Sequence, residues 1–358
     1  MAISEAERES METGQSNRIS LSGGRADVQI LTALHELHQA YGDHLEGEVA
    51  RYIPELAKVD PDQFGLAVVT ATGERIAVGD AYESFTLQSI ANPFVYGMVL
   101  DALGRAAVRD VVGVEPTGNP YNAIVLDPNT RRPMNPMVNA GAIAVSGLVP
   151  GKDPTDRLNR VLGMFGSYVG DQPAVNMEVF MSERTTGDRN RSIAYLMRNF
   201  GVIQVSVESV LDLYFQACSV SVNCVQLATM AATLANGGVN PLTSCRAISR
   251  ASLRDVLSIM YTCGLYESSG LWVHSVGIPS KSGVGGGLLA VVPGKMGIAI
   301  FSPRLDASGN SVRGKLVCRS LSQMLGLHLF QAGSWSGSHS GVPFDSTDKS
   351  WDGVSSDR

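Results

Sequence analysis

The stretch KSGVGGGLLAVVPGKMGIAIFSP, residues 281–303, contains two apolar runs separated by Pro293-Gly294-Lys295. Proline followed by glycine is typical of a tight turn, and short apolar runs bounded by such turns are typical of strands. The stretch therefore predicts a β-hairpin. Residues 64–80, FGLAVVTATGERIAVGD, have the same pattern around Thr72-Gly73-Glu74, and they predict a second hairpin near the other end of the chain.

The chain between the two hairpins is mostly helical in its pattern. Residues 153–169, 206–219 and 223–238 each begin with a residue suited to capping a helix, and the last ends in Gly237-Gly238. Further amphipathic helices are predicted at Val28 to about Leu37 and at about Val312 to Leu329. An antiparallel sheet built from both chain ends, with flanking helices and a helical lobe, would leave a cleft between its lobes. The predicted fold class is α/β (α+β).

The domain organisation follows from the same patterns. Residues 1–25 are polar and residues 332–358 are rich in Ser, Gly and Asp, so both are predicted to be disordered. Residues 26–331 are predicted to form one domain. Its sheet lobe would comprise about 26–88 and 240–331, and its helical lobe about 89–239.

Composition excludes several classes of function. A net charge of -6 with no basic block argues against nucleic acid or an anionic membrane as partner. The N-terminal residues 1–18 have no apolar stretch of signal-peptide length, and no stretch of the chain approaches the ~20 apolar residues of a membrane span. The five cysteines are widely spaced without a C-x-x-C pair, which favours reduced thiols in the cytoplasm. Cysteine and histidine form no cluster, so neither a metal nor another cofactor is expected.

Ser89, in FTLQSIANPF, is the first candidate catalytic residue. A strand-like segment, Phe85 to Leu87, precedes it, and a helix is predicted to begin at the serine, with Pro93 in its first turn. The helix dipole and free N–H groups there favour developing negative charge, which suits a nucleophile. Serine is also a preferred helix cap, and capping alone would explain it.

The glycine-rich segment that begins at Lys281 is the second candidate. A Lys-Ser-Gly triplet on an edge strand that faces a helix-start serine is the layout of penicillin-recognising enzymes. Glycines allow close approach of a substrate, and one strand N–H can complete an oxyanion hole. A glycine-rich turn with a surface lysine is the simpler alternative.

Further polar residues occur in otherwise apolar stretches, and each could instead serve structure. Asparagines cap helices, clustered charges stay solvated, and tyrosines fill cores. These residues are Asn135 and Asn139 in NPMVNAGAI, Glu183 and Asn190 in SERTTGDRN, Tyr214 in LDLYFQACS and Tyr266 in CGLYESSG.

Taken together, these motifs resemble those of one family. The runs, in chain order, are YIPELAK, LQS, VGVEPTG, NPMVNAGAI, SERTTGDRN, LDLYFQACS, MAATLANGG, CGLYESSG and KSGVGGG. They are similar in sequence and order to the motifs of the serine-dependent glutaminases, over about residues 30–329.

The resemblance implies a β-lactamase-like fold and hydrolysis of L-glutamine to L-glutamate and ammonia. Ser89 would attack the side-chain amide and form a glutamyl-enzyme ester, with the N–H groups of Ser89 and Val284 as the oxyanion hole. Tyr266 would relay a proton to the departing ammonia, supported by Tyr52. The resemblance also implies a homo-oligomer, either dimer or tetramer. The residues implied to hold the amino acid are Asn139, Glu183, Asn190, Tyr214 and Tyr266, with Tyr52 and Gln88 as further pocket residues.

Asn92 departs from the family pattern, in which the nucleophile belongs to a Ser-x-x-Lys motif whose lysine takes the serine's proton. Here the motif is Ser89-Ile90-Ala91-Asn92. Residues i and i+3 share a helix face, so Asn92 is expected to point at the Ser89 hydroxyl. An amide can orient that hydroxyl but cannot accept its proton near neutral pH.

Three explanations of Asn92 are open from sequence. Lys281 or Tyr266 replaces the missing base; the protein binds glutamine or glutamate without turning it over; or Asn92 is an engineered or erroneous residue. A penicillin-interacting hydrolase is a further alternative, because the Lys-Ser-Gly strand is shared.

Overall fold

The computed structural model describes residues 25–331. The predicted disordered termini therefore lie outside the described residues, except for Arg25, with which the first helix begins. The helices are α1 (Arg25–Gly42), α2 (Ala91–Arg109), α3 (Asn139–Leu148), α4 (Pro154–Val169), α5 (Met177–Thr186), α6 (Asp188–Asn199), α7 (Val207–Cys218), α8 (Cys224–Ala235), α9 (Arg250–Cys263), α10 (Ser269–Ser275) and α11 (Val312–Leu325). The strands are β1 (Gly65–Thr70), β2 (Arg75–Gly79), β3 (Phe85–Thr86), β4 (Ser221–Val222), β5 (Ser280–Ser282), β6 (Gly287–Val292) and β7 (Met296–Phe301).

Five of the strands form one antiparallel sheet in the order β2-β1-β7-β6-β5. Both predicted hairpins are confirmed, as β1–β2 and β6–β7. The hairpins join through β1 and β7, where Gly65 lies opposite Phe301. The prediction of an antiparallel sheet built from both ends of the chain is therefore also confirmed.

Both faces of this sheet are covered, so its central strands are buried throughout. On one face, alternate residues such as Val69 and Ala299 belong to a core that includes side chains of α2 and α8. On the other face, residues such as Val68 and Ile298 pack with α1 and α11. Burial on both faces explains why these strands are continuous apolar runs rather than alternating ones. Helix α8, which the sequence placed in the helical lobe, thus lies against the sheet.

The helix starts follow the predicted caps. Asp153 and Ser206 accept hydrogen bonds from the first turns of α4 and α7, and Asn223 forms a reciprocal capping box with Gln226. Helix α11 ends at Leu325 rather than at the predicted Leu329, because Gly326 adopts a left-handed conformation with φ +60°. Within residues 25–331, every helix is either too short or too polar to span a lipid bilayer.

The glycine at position 297 allows α8 to pack directly on the centre of the sheet. A Cβ atom there would lie 2.2 Å from the Ala232 nitrogen and 2.4 Å from the Ala228 oxygen. These are backbone atoms of a buried helix and cannot move aside without shifting it. Gly163, in α4, differs in having nothing within 4 Å of such a Cβ.

We expect Gly297→Ala to lower the free energy of unfolding by at least about 1–3 kcal/mol, the usual cost of overpacking a core. Thermal and urea unfolding would measure the change. The matched control is Gly163→Ala, which we expect to stabilise by about 0.5–1 kcal/mol because alanine favours the helix. Equal stability of the two variants would contradict this packing.

Candidate active site

Ser89 lies in the 3₁₀ turn Gln88–Ile90, between β3 and α2. β3 pairs with β4, which fixes the approach to the turn. Gln88 has φ +50°, a conformation that costs energy in a non-glycine residue and is concentrated at functional sites. Ser89 is buried, and neither the turn nor α2 has a side-chain cap at its start. Helix capping, the alternative explanation of Ser89, is therefore not what the structure shows.

The glycine-rich loop after β5 lies directly against the turn that carries Ser89. A Cβ at Gly283 would come within 2.7 Å of the Leu87 oxygen, and one at Gly285 within 2.8 Å of the Thr86 oxygen. Only glycine permits this approach of two backbones. Val284, between the two glycines, is thus held beside the serine turn, where its N–H and that of Ser89 could face one oxygen.

Tyr266 connects the serine to the strand that ends in the glycine loop. Its hydroxyl donates to the Ser282 carbonyl over 3.1 Å and hydrogen-bonds with the Ser89 side chain. Its backbone also has a positive φ, of +56°. Burial is the main cause that raises the pKa of Tyr266, and the bond with Ser89 acts in the opposite direction. Tyr266 is therefore a neutral phenol within reach of the candidate nucleophile.

Lys281 is fully buried on β5, rather than at the surface. Its Nζ donates to the Ser282 carbonyl over 2.6 Å and lies 4.1 Å from the centre of the Tyr266 ring. Burial lowers the pKa of Lys281 to about 7, with Cys218 acting in the opposite direction. A large fraction of this amine is therefore uncharged near neutral pH.

Glu183, on α5, is a buried carboxyl with one unpartnered oxygen. Its side chain hydrogen-bonds with Gln88, while Oε2 has no hydrogen-bond partner. Burial raises the pKa of Glu183 to about 8, against the effect of Gln88. A buried acceptor without a hydrogen-bond partner costs about 1–3 kcal/mol. A cationic donor that bound beside Glu183 Oε2 would remove this cost.

The other predicted binding residues lie around these groups. The Asn139 amide donates to Asn190 Oδ1 over 2.9 Å, which joins the start of α3 to α6. Tyr214, on α7, is buried, and the proximity of Glu183 contributes to raising its pKa after the larger effects of burial and of Cys218. Helices α3, α5, α6 and α7 thus supply the helical side of the site.

Tyr121 belongs to the site but was missed by the sequence analysis. Its ring lies 4.7 Å from that of Tyr266, and its hydroxyl hydrogen-bonds with that of Tyr52. Tyr52 as a whole residue is half exposed, but its hydroxyl end is buried, and this burial is the main cause that raises its pKa. A groove of about 490 Å³ includes Tyr52, Tyr121 and Val284 in its lining. Tyr121 lies in a loop, so no periodic pattern could reveal it.

Asn92 does not have the hydrogen bond that its helical spacing predicted. The amide donates to the Met137 carbonyl over 3.3 Å rather than to Ser89. The side chain is buried beside a small cavity that is also lined by Ser146, Tyr214 and Cys218. Neutral and directed at a backbone carbonyl, Asn92 supplies no proton acceptor.

Within residues 25–331, no three His, Cys, Asp or Glu side chains lie close enough together to hold a metal ion.

Comparisons with known proteins agree on one family. The Glutaminase family model matches residues 47–330. A glutaminase of Trichormus variabilis is 56% identical over 302 residues, covering 84% of this chain and 90% of that protein, and one of Nostoc sp. gives the same values.

Solved structures show the same relationship. The probable glutaminase ybaS has a TM-score of 0.83 at 40% identity, covering 85% of this chain and 99% of the other. The structure of Mglu in its glutamate form has a TM-score of 0.81 at 42% identity, with 85% and 71% covered. The β-lactamase-like fold implied by the motifs is confirmed by these neighbours. The chain belongs to the glutaminase family.

Proposed function

We propose that this protein hydrolyses the side-chain amide of L-glutamine through Ser89. The observation that carries the proposal is the joint placement of three groups: the Ser89 hydroxyl bonded to Tyr266, the Val284 loop packed on the serine turn, and the unpartnered oxygen of Glu183. They supply a nucleophile, an oxyanion site and an amino-acid anchor.

The reaction proceeds in two halves on one serine. Ser89 Oγ attacks the amide carbon, and the N–H groups of Ser89 and Val284 stabilise the resulting oxyanion. Tyr266 passes a proton to the amide nitrogen, ammonia leaves, and a glutamyl ester remains. Water then attacks the ester, releases glutamate and restores the Ser89 hydroxyl.

Recognition of the amino acid falls to the polar groups on the helical side. Glu183 pairs with the α-ammonium, and this pairing lowers the pKa of its carboxyl from the value to which burial raises it. Donors from Asn139, Asn190 and Tyr214 receive the α-carboxylate, whereas the single Tyr266 proton serves the reacting amide. Tyr52 and Gln88 act less directly, through Tyr121 and Glu183 respectively.

The catalytically silent binder is the competing function, and Asn92 is the only observation that favours it. The names of the most similar relatives, together with an otherwise complete set of polar groups, support the enzyme instead. A penicillin-interacting hydrolase would leave Glu183 and the asparagine pair without a ligand.

The cellular setting is part of the same proposal. The five cysteines are free, four of them buried, which suits a reducing cytoplasm.

We propose a homo-oligomer of two or four chains that needs neither nucleic acid nor a membrane. Sedimentation at micromolar concentration would test the assembly, and a monomer would contradict it.

We expect the protein to release ammonia from glutamine and Ser89→Ala to reduce this by at least about 10³-fold, because the nucleophile is lost. A coupled assay of ammonia and glutamate would measure both. Ser192→Ala, at an exposed serine of α6, is the matched control and should retain full activity. Turnover by Ser89→Ala would remove Ser89 as nucleophile. Saturable glutamine binding without any ammonia would instead support the silent binder.

We expect Glu183→Gln to stabilise the ligand-free protein at pH 8–9 but not at pH 5. The folded pKa of Glu183, about 8, lies above its ordinary value of 4.5. The unfolded state therefore gains by ionising first, and stability falls as pH rises between those values. Glutamine at position 183 removes that loss, worth on the order of a few kcal/mol.

Thermal unfolding across this pH range measures the effect, and Glu178→Gln, at an exposed residue of the same helix, is the control. Added glutamate should stabilise the parent protein but not Glu183→Gln. A pH-independent effect of Glu183→Gln on melting would contradict the buried, uncharged state of this carboxyl.

A further inference from the structure

The unexplained feature of the proposed reaction is the acceptor of the Ser89 proton. The residue three positions after Ser89 is an asparagine that hydrogen-bonds to the Met137 carbonyl. An asparagine amide cannot hold that proton at neutral pH. Tyr266 reaches Ser89, but a phenol can accept a proton only if it gives up its own. A second group must therefore take the proton from Tyr266.

The geometry around the Ser282 carbonyl supplies one such group. Tyr266 Oη and Lys281 Nζ both donate to this oxygen, over 3.1 and 2.6 Å. The two atoms therefore lie within two hydrogen-bond lengths of each other. The lysine amine also sits over the Tyr266 ring, 4.1 Å from its centre. Both groups thus meet at one acceptor, and transfer of the phenol proton requires Oη and Nζ to come within one hydrogen-bond length of each other.

Resting on the proposed function, we infer that Lys281, acting through Tyr266, accepts the Ser89 proton that Asn92 cannot take. The proton acceptor is then a lysine on β5, whereas Asn92 is on α2, the helix that follows the serine turn. Its full burial keeps water from competing for the proton. The lowered pKa of this amine, about 7, leaves the required lone pair available at neutral pH.

The proton balance of the step is complete. As Ser89 Oγ bonds to the amide carbon, its proton moves to Tyr266 Oη, and the Tyr266 proton moves to the lone pair of Lys281 Nζ. The same path in reverse delivers a proton to the amide nitrogen as the C–N bond breaks. In the second half, water attacks the ester and gives up a proton by this path, which returns it to Ser89 Oγ.

The test separates proton acceptance from charge and from structure. Lys281→Met removes both the positive charge and the proton acceptor. Lys281→Arg keeps the positive charge, but a guanidinium stays protonated and cannot accept a further proton. We expect each to lower kcat by about 10²–10⁴-fold, the usual contribution of a general base, with KM changed only a few-fold. Adding Asn92→Lys to Lys281→Met returns a base to the serine's helix and should recover at least tenfold in kcat. Melting curves and glutamate binding check that each variant is folded.

A second measurement uses the unmodified protein and so does not depend on the variants folding. The kcat should rise with pH along an acidic limb near pH 7, as Lys281 loses its proton. Tyr266 and Cys218, which face the amine, both have pKa values raised by burial. Glu183 is already ionised in the substrate complex, to which kcat refers. A flat kcat between pH 6 and 9 would overturn the inference.

The outcomes also separate this inference from the proposed function. Ammonia release that depends on Ser89 but survives in Lys281→Met or Lys281→Arg overturns only the role of Lys281. Failure of Asn92→Lys to restore a folded, glutamate-binding Lys281→Met variant does the same. Absence of Ser89-dependent release in the unmodified protein removes both the proposed function and the inference.

Discussion

The antiparallel pairing of β1 with β7 is the contact on which the rest of the molecule depends. It joins strands from opposite ends of the chain, with Leu66 opposite Ile300 and Val69 opposite Gly297. β1 and β2 lead through β3 to the serine turn, while β6 connects β7 to the glycine loop and β5. Ser89 and β5 lie side by side because the pairing of β1 with β7 holds both parts of the chain in one sheet. The glycine at position 297 lets α8 cover the joint from one side.

Desolvation is the second constraint, and it gives the site its chemistry. Glu183 and Lys281 are both buried, and burial disfavours the charged form of each. Near neutral pH the site therefore holds an acid that is largely uncharged beside an amine of which a large fraction is uncharged. In the proposed function, the α-ammonium of the substrate supplies the charge that Glu183 lacks. Neutral Lys281 keeps a lone pair that a solvent-exposed lysine would have lost to protonation.

Backbone strain marks the same place. Gln88 and Tyr266 both have positive φ without being glycine, and their side chains meet Glu183 and Ser89 respectively. Strain of this kind persists only where the surrounding structure enforces it. Here the enforcing contacts are the pairing of β3 with β4 and the glycine loop packed on the turn. Ser89, the proposed nucleophile, is thus held by rigid elements on both sides.

The hairpins, the capped helices and the family could all be predicted from the sequence, because they depend on local patterns and on motif order. It also identified Ser89, Glu183 and the glycine loop as candidates, since their residue types carry the chemistry. The tertiary structure decided which groups meet. Tyr121 reaches Tyr52 and Tyr266 from a loop, Lys281 turns inward onto Tyr266, and Asn92 bonds to Met137 instead of Ser89. Such contacts join residues far apart in the chain, and their geometry is fixed by packing that no local pattern encodes.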